Sequence, residues 1–99
     1  MDKLKQYELM EKIVRQLEDL KNSQQAVIEK ITKIEVDNFD LGDKRLEKNL
    51  ADIHQRTADN LDSITDQLEY FAGKTEDFGE KNDVERLREQ QDIDNLRNS

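Results

Sequence analysis

Ninety-nine residues amount to one small domain, and with 33% hydrophobic against 40% charged side chains the chain has material for only a thin core. The formal charge of −8 is lopsided: residues 1–34 hold seven Lys/Arg and six Asp/Glu, net +1, whereas residues 35–99 hold nine and eighteen, net −9. Such an acidic field repels phosphate backbones and anionic lipid, which argues against nucleic acid or a membrane surface as partner and for a protein.

With no proline and three glycines, long uninterrupted helices are permitted and turn-rich all-β folds are disfavoured. Cysteine is absent, so neither a disulfide framework nor a thiolate metal site can form. No apolar run approaches the ~20 residues of a membrane span. Met1-Asp2-Lys3-Leu4-Lys5 also lacks the apolar stretch of a cleaved signal. The expectation is a soluble cytoplasmic protein, or one exported together with its partner.

In chain order, the first element is a helix over about residues 2–36. From Met10 to Ile34 the stripe Met10, Ile13, Leu17, Leu20, Gln24, Val27, Ile31 and Ile34 alternates steps of three and four. Tyr7, Val14 and Ile28 flank that stripe and widen it beyond the seam of a simple paired coil, so the helix calls for more than one neighbour. Residues 37–43 then supply Asx residues and the first glycine, and are expected to form a turn. Within it Gly42 marks the reversal, Asp43 caps the next helix, and Phe39 reads as an aromatic plug closing the end of a hairpin in preference to a docking residue.

A second helix is expected over about residues 44–72. Its stripe, Leu46, Leu50, Ile53, Thr57, Leu61, Ile64, Leu68 and Phe71, repeats every eleven residues, which implies a nearly straight helix. Residues 73–81, bounded by Gly73 and Gly79, read as a loop or kinked stretch. Asn82 followed by Glu85 then has the pattern of a capping box opening a short helix over 82–97, mobile unless a partner holds it. Phe71 and Phe78, on either side of the break, are candidates for contact with another chain. The fold class that follows is all-α: an antiparallel two-helix hairpin with a short C-terminal helix, forming one domain over residues 1–99.

Chemistry-bearing patterns are sparse. His54 is the only histidine and has no partner at helical metal-site spacing, so it reads as a side chain at the seam edge or surface. Placing Gly42 at the sixth position of a calcium loop puts Phe39, Leu41 and Lys48 at ligand places, and the match fails. Phosphate-binding glycine loops do not occur. The abundant carboxylates lack the water-poor pocket that acid–base catalysis needs. The expectation is a protein that is not an enzyme, with no catalytic, cofactor-binding or metal-binding residues and no cofactor.

An acidic chain of this length without Cys or Pro, with two helices around the turn Phe39-Asp40-Leu41-Gly42, resembles the small WXG-type helical-hairpin proteins of type VII secretion. Phe39 and Gly42 stand where that family places its W-x-G, with phenylalanine for tryptophan and a spacing longer by one. Tyr7 to Glu11 and Phe39 to Asp43 fit the family's Y-x-x-x-D/E export signature and its phenylalanine version away from the C-terminal end where the signature usually stands. Length, hairpin form and the Glu/Arg-rich tail Val84-Glu85-Arg86-Leu87-Arg88-Glu89 are closest to the targeting chaperones associated with LXG toxins.

That resemblance implies an adaptor for the helical N-terminal domain of a toxin, in a hetero-oligomer that includes a second small helical protein. Tyr7, Val14, Ile28, Phe71 and Phe78 are the expected partner-binding residues. Two other readings remain open from the residues alone: a homo-oligomeric coiled-coil scaffold or spacer, including a SNARE-like bundle element, and an acidic regulatory protein that binds and blocks its target.

Overall fold

The computed structural model describes residues 1–98, and every regular element among them is helical: α1 (Lys3–Leu41), α2 (Lys44–Lys81) and α3 (Val84–Arg97). Two compact units form: one from Leu17–Gln67, the other from Met1–Gln16 with the chain from Leu68 onward.

The Leu17–Gln67 unit is a helical hairpin. Gly42 and Asp43 alone separate its helices, so α1 runs five residues past the expected end at residue 36. Asx residues are mediocre helix formers and not strong breakers, so Asp37, Asn38 and Asp40 are carried in the last turns. Termination falls to Gly42, whose φ of 78° is the left-handed conformation that favours glycine. Its N–H donates to the Asn38 carbonyl at 2.7 Å, closing the helix end. Asp43 Oδ1 accepts the Leu46 N–H at 2.8 Å and so caps α2.

Phe39 does not plug this turn: it is 87% exposed. Asn38 fills the place instead, 5% exposed, with its amide donating to the Asp43 carbonyl at 3.0 Å. The Asp43 carbonyl already accepts the Glu47 N–H at 3.1 Å, and the Asn38 amide adds a second donor that ties the end of α1 to the start of α2, a link phenylalanine cannot make. Among the described residues of this unit, Ile31 and Leu50 are the buried apolar side chains. His54 sits half-exposed between the helices, its Nδ1–H donating to Glu35 Oε1 at 2.6 Å.

The other unit assembles the first part of α1, the last part of α2, and α3. Asp2 Oδ1 accepts the Lys5 N–H at 2.8 Å and caps the start of α1. The loop expected over 73–81 is helix, because α2 continues through Gly73 and Gly79 to Lys81. From Phe71 the buried line passes at helical spacing to Thr75, which is 6% exposed, and on to half-buried Phe78. Packing of that line outweighs the ~1 kcal/mol per residue that glycine costs a helix.

The capping box expected at Asn82 does not form. Asn82 Nδ2 donates to the Phe78 carbonyl at 2.9 Å, and the Asp83 carboxylate receives Arg86 Nε at 3.0 Å. Both side chains are committed elsewhere, and Asp83 itself turns the chain at φ 48°. Helix α3 therefore starts at Val84, which is 3% exposed and, like Leu4 and Met10, is a buried apolar side chain of this unit.

Candidate protein-interaction surface

Four of the residues singled out from sequence lie in the unit of Met1–Gln16 with the chain from Leu68 onward. The structure brings two of them together: the rings of Tyr7 and Phe78 stack, centroids 6.4 Å apart and planes 9° from parallel. Lys3 Nζ lies 5.6 Å from the Phe78 centroid, and the Arg88 guanidinium 5.2 Å from that of Tyr7. Arg88 also pairs with Glu11, which ties α3 to α1. Val14 and Tyr7 share the wall of a groove of about 670 Å³ whose rim includes Glu11, Glu76, Glu80 and Glu85. Phe71 is half-buried, and its carbonyl accepts the Thr75 hydroxyl at 2.7 Å. These aromatics are thus engaged within the unit, where cation–π and stacking contacts strengthen the packing of α3.

Ile28, Phe39, Gly42 and Asp43 belong to the hairpin unit. Ile28 is half-buried and its carbonyl receives the Thr32 hydroxyl. On α1 the most covered line of this unit is Leu17, Gln24, Ile31 and Asn38, spaced by seven. One step of three around the helix, a parallel line of Leu20, Val27, Ile34 and Leu41 stays open, at 43%, 42%, 48% and 78% exposure. On α2, Leu46 and Ile53 are likewise about two-fifths exposed. A seven-residue spacing of half-covered aliphatic side chains has the form of a seam that another helix fills.

Read from sequence, Leu20, Val27 and Ile34 lie in the stripe, and the flank of Tyr7, Val14 and Ile28 is the surface left for a partner. What that reading missed is not the need for a further neighbour but the line it would cover, because the two-helix contact leaves Leu20, Val27 and Ile34 open. The polar pair Glu35–His54 also escaped it, because the two are nineteen residues apart in sequence.

Among the described residues, no three of His, Asp and Glu converge as a metal would require, and no helix is long and apolar enough to cross a membrane. The fold and this surface together define an all-α protein built around a helical hairpin, with an aliphatic seam exposed on it. Comparison with protein families, with curated proteins and with solved structures finds no match to this chain.

Proposed function

We propose that the protein is a non-enzymatic helical adaptor, and that its partner is the helical N-terminal domain of an LXG-type toxin, which it chaperones toward type VII secretion. The observation that carries the adaptor reading is the open line Leu20, Val27, Ile34 and Leu41 beside a hairpin core in which Ile31 and Leu50 are the buried apolar side chains. At about 25 cal/mol per Å² of apolar surface removed from water, covering three or four half-exposed aliphatic side chains contributes several kcal/mol. That is comparable with the whole stability of a small domain, so folding and partner binding are linked. The toxin partner is what the WXG-like resemblance supplies. A second small helical protein completes the bundle on this reading, and the hetero-oligomer acts in the cytoplasm or leaves with its cargo.

Co-expression with an LXG N-terminal domain tests it, read by co-purification and by thermal melting of the chain alone and in complex. The expected result is a complex with a raised melting temperature, lost in Val27→Lys while the isolated variant keeps its helical signal. A stable homo-oligomer indifferent to the toxin domain would replace this reading with the coiled-coil scaffold. Binding that survives Val27→Lys but collapses with modest salt would favour the acidic regulator.

A further inference from the structure

We infer that the outward face at the end of α1, centred on Phe39 and Val36, is a docking knob for an amphipathic helix of a partner protein, whose apolar face is edged with Lys or Arg. This surface is distinct from the open seam and does not require the toxin-adaptor reading. Phe39 is 87% exposed and Val36 61%, the two standing three residues apart on one side of the helix. With Thr32, Glu35 and Asp40 they line a shallow depression of about 440 Å³. The fold makes no use of the phenylalanine, since Asn38 closes the turn. The helix beneath is nevertheless held firmly, by Gly42 N–H to the Asn38 carbonyl and by the Asn38 amide to the Asp43 carbonyl. An exposed aromatic on a braced helix end loses little freedom when a partner's apolar face covers it, which is the situation of interface anchor residues.

Charge selects the occupant. Glu35, Asp37, Asp40 and Asp43 fall in a stretch from Ile34 to Asp43 with no Lys or Arg. Glu35 is paired with His54 and Asp43 caps α2, whereas Asp37 and Asp40 form no ion pair among the described residues. Both lie near the C-terminal end of α1, whose last turn holds no basic residue, so they oppose the negative end of the helix dipole. Partner cations there would meet two carboxylates and the helix end together. A second copy docking tip to tip would set these carboxylates against each other, and anionic lipid would be repelled by them.

Phe39→Trp supplies the test in the full chain, which otherwise contains no tryptophan. The probe is a synthetic amphipathic helix of leucine and lysine, and the control is the same helix with glutamate for lysine. The expected result is a saturable blue shift of indole emission with the lysine helix alone. Affinity should fall at least about tenfold when Asp37→Asn and Asp40→Asn are added, and Val27→Lys should leave the shift intact. No shift with the lysine helix, or an equal shift with the glutamate helix, overturns the proposal. A shift on diluting the protein would assign the tip to self-association, and one with phosphatidylcholine–phosphatidylglycerol vesicles would assign it to lipid; either overturns it. Loss of the shift in Val27→Lys would place the peptide on the seam and overturn the knob. Loss of the toxin-domain complex in Val27→Lys with the blue shift retained separates the two surfaces.

Discussion

A Cβ added at Gly79 would stand 2.9 Å from Tyr7 Cε2 and 3.3 Å from Cζ, so the ring lies directly against the backbone of α2. Gly73, in the same helix, has nothing within 4 Å of the corresponding position. The two glycines should therefore respond oppositely to alanine. Gly73→Ala gains helix propensity and should raise stability by about 0.5–1 kcal/mol. Gly79→Ala gains the same propensity but displaces a ring stacked on Phe78 and covered by Arg88, and should be neutral or destabilising. Urea denaturation followed by circular dichroism separates them. Equal stabilisation by both would mean the Tyr7 ring is free to move aside.

The turn offers a sharper contrast between neighbours. Phe39→Ala should change stability by less than about 0.5 kcal/mol, as surface substitutions do. Asn38→Asp replaces the amide that donates to the Asp43 carbonyl with a buried carboxylate oxygen facing it, and should destabilise by about 2–4 kcal/mol. Asn38→Ala should fall between, because the lost hydrogen bond is offset by removal of the buried Oδ1, which has no partner. Asp43→Ala should lose about 1 kcal/mol with the α2 cap. A Phe39→Ala variant as unstable as Asn38→Asp would restore the aromatic plug.

Core and seam should separate in the hairpin unit. Leu50 is 6% exposed, and Leu50→Ala should cost about 2–3 kcal/mol through lost burial and the cavity left behind. Ile34 is 48% exposed, and Ile34→Ala in the isolated chain should cost about 1 kcal/mol or less. In complex with a helical partner the cost at Ile34 should grow, read as a larger drop in the melting temperature of the complex than of the chain alone. Identical drops would show that nothing covers Ile34 on binding.

Helix content and the position of the first reversal were legible because three-and-four spacing and the only early glycine are local signals. Asp43 as a cap is likewise read from its place before a new stripe. The run from Gly73 to Lys81 was not, because glycine propensity is local whereas the packing of Thr75 and Phe78 that overrides it is tertiary. The same limit hid the exchange of roles between Asn38 and Phe39. Residue type ranks phenylalanine as the better filler, and only the geometry of the turn brings the Asn38 amide within reach of the Asp43 carbonyl. The open line on α1 was visible as hydrophobicity but not as exposure, since a stripe does not state which of its lines the hairpin contact covers.

Helix α3 is the element most dependent on a few contacts. Fourteen residues are marginal as an isolated helix, and its Ile93 and Leu96 are 45% and 75% exposed. Among the residues that hold it are buried Val84, half-buried Leu87, and Arg88, which pairs with Glu11 and covers the Tyr7 ring. Val84→Asp puts an unpaired charge into that contact and should release the helix. Arg88→Ala should weaken it by about 1 kcal/mol, combining an exposed ion pair with a cation–π contact. Hydrogen exchange measures this directly, because protection over Val84–Arg97 should fall in both variants while that of Leu17–Gln67 stays constant. Charge reversal at both ends, Arg88→Glu with Glu11→Arg, should restore part of the protection, since the ion pair reforms but the cation over Tyr7 does not. Full protection in Arg88→Ala would leave Val84 and Leu87 as the anchors and remove the arginine from the account.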